Sequence, residues 1–169
     1  YRALQCTRPH TVHGIFGRLQ ILSAAFMAFS HGSNDGQKFM GVFTLALVLG
    51  GALPEFHIPL WVIILCGGVM GLGTLVGGWR VMRTMGFGLT KLEPVHGFTA
   101  ETAAALAIQT ASFLGVPLST THTINTAIMG AGARRRLSAV HWGVGRHIVT
   151  AWILTFPICF ALGWVLSEL

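Results

Sequence analysis

"FSHGSNDGQKFMG", residues 29–41, decides how this chain is to be read. Residues 21–29 are almost wholly apolar, and residues 39–53 are apolar again. His31, Ser33, Asn34, Asp35, Gln37 and Lys38 therefore stand in the middle of what would otherwise be one membrane crossing. Ser, Asn and Asp are strong helix N-cap residues, and here they directly precede an apolar run. Gly32 and Gly36 permit the backbone angles that an interruption needs. The stretch predicts a broken helix over 19–53, its second half starting near Asp35 at mid-membrane. A carboxylate there is a functional candidate by default.

The chain has 169 residues, of which 53% are hydrophobic and 9% charged. A soluble domain carries roughly 25% charged residues. The composition predicts an integral membrane protein rather than a soluble enzyme. The net charge of +6 does not imply nucleic acid, because the basic residues sit in short loops. Cys6, Cys66 and Cys159 have neither metal-site spacing nor an obvious pairing.

A crossing needs about 20 apolar residues. "IPLWVIILCGGVMGLGTLVGG" (58–78) meets that, and so does the terminal segment 146–167, with Pro157 as a kink. Residues 1–18 read as a polar leader. Residues 99–133 hold two shorter helix-like pieces separated by "GVPLST" and predict a re-entrant hairpin, although two full crossings fit the charges equally well. In this layout every arginine of the leader, of 80–83 and of 134–146 falls on one side. The loop "LPEFHIP" (53–59), without Lys or Arg, falls on the other. The positive-inside rule makes the arginine side cytoplasmic.

The second interruption repeats the grammar of the first. In "GVPLSTTHTIN" (115–125), Pro117 stops one helix and Ser119, Thr120 and Thr121 cap the next. Two helix N-termini facing each other inside a membrane would bind an anion through free N–H groups and the positive dipole end. Lys38 would reinforce them or pair with Asp35. His31 and His122 are either packing or site histidines. In 99–114, Glu101, Thr102, Gln109 and Ser112 form a polar stripe that could line a cavity. The candidate anion ligands are Ser33, Asn34, Gln37, Lys38, Ser119, Thr120 and Thr121. Two other readings stand beside this one: an intramembrane serine hydrolase using Ser119, His122 and Asp35, and an uncoupled channel-like subunit.

"SHGSNDGQKFMG" and "GVPLSTTHTINTAIMGAG", with "GFTAE" (97–101) upstream, resemble the inorganic phosphate transporter family, which includes low-affinity phosphate permeases and some sulfate permeases. The resemblance implies an all-α, polytopic, multi-pass protein with discontinuous helices, one half of an inverted-repeat transporter. It implies cation-coupled symport of inorganic phosphate, with sodium or a proton as coupling ion, Asn34, Asp35 and Glu101 as the cation-coupling residues, Asn34 and Asp35 as the site for a sodium ion, no other cofactor and no enzymatic activity. Sulfate is the alternative substrate, and arsenate a further one of the same shape. The chain starts at Tyr1 and carries one copy of each motif, so it is expected to be the C-terminal repeat of a longer protein, completed by its missing N-terminal repeat or a second copy. The expected setting is a lipid bilayer, the plasma membrane or a bacterial inner membrane. A homo-oligomer is expected, without nucleic acid.

Overall fold

The computed structural model describes residues 9–83, 88–90 and 93–168. Among them, five α-helices follow one another: α1 (Pro9–Leu49), α2 (Leu60–Arg83), α3 (Pro94–Phe113), α4 (Thr120–Arg135) and α5 (Trp142–Ser167), with a 3-10 turn at Leu137–Ala139 before the last. The boundaries follow local chemistry. Pro9 and Pro94 open α1 and α3, where a missing N–H costs nothing. Gly51, at φ 73°, and Gly115, at φ 68°, take left-handed conformations just beyond the ends of α1 and α3. The Ala52 and Val116 N–H groups then reach back to the carbonyls of Leu47 and Ala111, each at 2.9 Å. Ser119 caps α4, its hydroxyl accepting from the His122 N–H at 3.4 Å.

One expectation is overturned. There is no break at residues 29–41: α1 runs through them as a continuous helix of 41 residues, about 60 Å long. The physical reason is that no proline interrupts residues 10–49. Two glycines weaken a helix by about 1 kcal/mol each, whereas opening the backbone in hydrocarbon strands several N–H and C=O groups without water. The helix stays closed, and the polar side chains find partners on neighbouring helices instead. The leader is also shorter than expected, because α1 already starts at Pro9; Cys6 lies outside the described residues.

Among the described residues, three helices are long and apolar enough to cross a membrane: Val12–Leu49, Leu60–Trp79 and Trp142–Ser167. Pro157 lies inside α5, as the sequence suggested. The 16 residues of α4 reach about 24 Å, short of a hydrocarbon core of about 30 Å. Helices α3 and α4 form the expected helical hairpin, joined at residues 114–119.

The hairpin packs on α1. The Ser23 hydroxyl donates to Glu101 Oε2 at 2.5 Å, and the Asn34 amide donates to Ser112 Oγ at 2.8 Å. Both pairs are 78 residues apart, so α1 and α3 run in the same direction in one constant register. Gly97 makes close approach possible: a Cβ there would collide with the Gln20 side chain. Phe16 meets Phe98 edge-on at 5.6 Å between ring centres. At the open end of the hairpin, buried Leu89, Ala100 and Ile128 form an apolar core that Val144 and Ile148 of α5 join. The His141 N–H donates to the Leu89 carbonyl (2.9 Å) and the Thr90 hydroxyl to that of Ala139 (2.9 Å), tying the segment before α3 to the segment after α4. Phe43 of α1 meets Trp61 of α2 edge-on. The outer faces of α2 and α5 leave Leu72, Leu75, Val76, Phe156 and Phe160 exposed, an apolar surface suited to lipid or to more protein.

Candidate functional site

The tip of the hairpin meets the middle of α1. Lys38 Nζ donates to Asp35 Oδ1 at 3.0 Å and to the Leu118 carbonyl oxygen at 2.6 Å. The Thr120 hydroxyl donates to the other carboxylate oxygen of Asp35 at 2.9 Å. His31 Nδ1 stands 3.3 Å from that same oxygen, one turn earlier on α1. One carboxylate thus joins three partners and, with Lys38, clasps the hairpin tip to α1. The spacing accounts for the grouping: residues 31, 35 and 38 follow i, i+4 and i+7 and share one face of a helix. The Asp35 and Lys38 side chains are 21% and 38% exposed, so the clasp is half open rather than sealed.

Below it lies a polar seam between α1 and α3. Ser23, Ser30 and Asn34 recur at steps of seven and four on α1, and Ser23 and Asn34 bond Glu101 and Ser112 of the α3 stripe that also holds Thr102 and Gln109. Among the described residues, several oxygens here are buried without a partner: Ser30 Oγ, Asn34 Oδ1, Thr102 Oγ1 and Gln109 Oε1. Fully buried Asn125 on α4 leaves both amide atoms unpaired, and Thr44 on α1 leaves its hydroxyl so. Buried polar groups without partners are rare in native proteins and point to a ligand, water or further chain.

Beside the clasp, a cleft of about 780 Å³ opens between α1 and α2. Its walls are mostly apolar, among them Phe39, Phe43 and Val69, and the polar side chains of His31 and Thr121 face into it.

Of the residues singled out in the sequence, Asn34, Asp35, Lys38 and Thr120 come together, joined by His31. Thr121 lies at the edge of the same group, on the cleft. Ser119 is exposed and serves as the cap of α4. Ser33 and Gln37 lie within α1, and Gln37 is exposed. Glu101 does not join the Asp35 cluster: it bonds Ser23, about three turns or roughly 16 Å down α3 from Ser112. Ser33, Asn34 and Asp35 are not helix caps, because their backbone belongs to α1. Among the described residues one free helix N-terminus remains at this place, that of α4. Sequence reasoning missed Ser23, Ser30 and Trp152. The first two carry a signal in their spacing with Asn34. Trp152 of α5 stacks on His122, ring centres 4.0 Å apart at 33°, and nothing local in the sequence pairs them. Ser119, His122 and Asp35 form no hydrolytic triad: the serine caps α4, the histidine ring lies on Trp152, and the carboxylate is bonded to Thr120 and Lys38.

The model of the family described as "Phosphate transporter family" matches residues 2–163. Similar curated proteins include a "Probable low-affinity inorganic phosphate transporter" of Rhizobium meliloti (strain 1021), 49% identical over 150 residues, covering 88% of this chain and 45% of that protein. One of the same description from Bacillus subtilis (strain 168) is 41% identical, with the same two coverages. "Inorganic phosphate transporter 2-1, chloroplastic" of Arabidopsis thaliana is 39% identical and matches 96% of this chain and 29% of its own length. A solved structure described as "The sodium-dependent phosphate transporter" superposes with a TM-score of 0.77 at 34% identity, over 92% of this chain and 40% of that one. The chain spans less than half the length of these relatives. With a family model matched over nearly its whole length, this chain belongs to the phosphate transporter family.

Proposed function

We propose that this chain supplies one half of a membrane-embedded site that moves inorganic phosphate together with a cation. The observation that carries the reading is the clasp, in which Thr120 and the Leu118 carbonyl at the hairpin tip meet Asp35 and Lys38 of α1. It sets the N-terminus of α4, with Ser119, Thr120 and Thr121, against the one acidic and one basic side chain in the middle of a 41-residue apolar helix. The α4 N-terminus and the hydroxyls favour an anion. Lys38 and Asp35 offset each other, so the pair lends phosphate little net positive charge. A cation entering beside Asp35 would release Lys38 toward phosphate and make each solute promote the binding of the other. The unpartnered oxygens of Ser30, Asn34 and Gln109 offer a hard cation neutral ligands close by. Sodium is favoured over a proton by the description of the solved relative, itself sodium-dependent. Phosphate is favoured over sulfate because phosphate retains a proton that a carboxylate can accept, whereas sulfate has none. Glu101, held by Ser23, contributes from a separate place in the same seam. The hairpin is re-entrant in this reading, and arginines 134–136 face the cytoplasm.

The test is radiolabelled phosphate uptake by the native protein in vesicles under a sodium gradient, a proton gradient or neither. Sodium-driven uptake is expected, blocked by excess arsenate and not by sulfate. Asp35→Asn keeps size and removes charge, and should lower the cation dependence of uptake more than membrane abundance. Wild-type cation dependence in Asp35→Asn would move coupling to another part of the protein.

A further inference from the structure

Toward the open end of the hairpin, lined on α4 from about 10 to about 21 Å beyond Thr120, lies a second cavity of about 640 Å³ that the Asp35 cluster does not use. Its floor consists of small side chains, Ala100 and Ala103 of α3 with Ala127 and Gly130 of α4. Three polar side chains line it, His96, Thr99 and Arg134, and the Thr99 hydroxyl is already spent on the Val95 carbonyl. Arg134 is exposed and forms no ion pair among the described residues. His96 has its Nδ1 buried without a partner among them. Arg136, close by in sequence, is also exposed, and Glu93 at the start of α3 is already engaged by another group.

The chemistry of this trough is divided. An apolar floor calls for a hydrocarbon, and the planar fork of a guanidinium matches the oxygens of a phosphate. A free anion would satisfy Arg134 and leave the floor bare. An apolar helix would cover the floor and bury an arginine unpaired, which is costly. Basic pockets between helices on the cytoplasmic side of a membrane suit anionic lipid headgroups, and the inference rests on the proposed topology that puts this end of the hairpin on that side. We infer that the trough holds one anionic phospholipid, its phosphodiester on Arg134 and an acyl chain along the alanine and glycine floor.

The test is native mass spectrometry of the purified native protein, titrated with phosphatidylglycerol or with phosphatidylcholine of the same chains. The wild type should retain phosphatidylglycerol at least fivefold better than phosphatidylcholine. Arg134→Gln should abolish that preference, and Arg134→Lys should keep part of it. Ala103→Phe fills the floor and should reduce retention of both lipids. Excess inorganic phosphate should leave the bound lipid in place. Equal retention of the two lipids by the wild type, or an unchanged preference in Arg134→Gln, overturns the inference. So does complete displacement by inorganic phosphate, which would make this an anion site without a lipid chain. Arg134 is on the surface, so its variants fold and keep the inference testable even if Ala103→Phe does not.

Discussion

Asp35 is the residue on which the clasp turns, because α1 and the hairpin tip meet on its two oxygens. Thr120→Val keeps the volume and removes the hydroxyl that donates to Oδ2. Thr120 is 3% exposed, so the loss of a hydrogen bond to a charged acceptor should destabilise the hairpin tip by about 1.5–3 kcal/mol, seen as a lower unfolding midpoint of the reconstituted protein. Ser119 poses a different question, since its oxygen already serves as a helix cap. A cap survives Ser→Gly at a cost of a few tenths of a kcal/mol but not Ser→Ala, which costs about 1 kcal/mol. If the hydroxyl also donates to phosphate, Ser119→Ala and Ser119→Gly should both raise the apparent KM for uptake about tenfold, within the roughly 1–3 kcal/mol range of a lost charged hydrogen bond. A glycine variant with wild-type KM beside a defective alanine variant would reduce Ser119 to a cap.

At the scale of the element, α1 is where sequence and structure part. Asn34, Asp35, Lys38 and Thr120 can be picked from the sequence because burying ionisable and hydroxyl side chains in an apolar run is costly unless they meet a partner or a ligand. The cap at Ser119 also speaks locally and sets the start of α4, whereas α1 and α3 start at Pro9 and Pro94, ahead of the positions 19 and 99 expected from hydropathy. The break expected at Ser33 fails for a physical reason. N-cap residues are ambiguous inside a helix, where the same side chains can bond across to a neighbour, as Asn34 does to Ser112. Which of the two occurs is settled by partners 78 residues away, and no short window of sequence contains both. The stacking of His122 on Trp152 is hidden in the same manner. The continuity of α1 is itself testable. Gly32→Ala meets no heavy atom within 4 Å, so it should stabilise a closed helix by about 0.5–1 kcal/mol and raise the unfolding midpoint. A stabilised variant that no longer transports would place a bend at Gly32 during the cycle, and a destabilised one would contradict the closed helix.

For the whole molecule the pattern of arginines makes a prediction about sidedness. In a background without cysteine, a cysteine at position 136 should react with a membrane-impermeant thiol reagent from the cytoplasmic side. One at position 55 or 57, in the loop between α1 and α2, should react from outside. Labelling of position 136 from outside would invert the topology. The chain spans less than half the length of its relatives, and its exposed apolar faces on α2 and α5, with the cleft open beside His31 and Thr121, leave surface for lipid or further protein.

The unbroken course of α1 has a mechanical consequence. Asp35 and Lys38 lie well along a rod of 41 residues that is about twice as long as a bilayer core is thick. A rod does not absorb a local push by flexing at its middle. If the clasp opens when a solute arrives, α1 answers by pivoting, and a tilt of roughly 10° swings a point about 30 Å away by about 5 Å. The same lever carries Ser23, and through its hydrogen bond Glu101 of α3, so the acidic side chain that sits apart from Asp35 in space remains geared to the helix that bears Asp35.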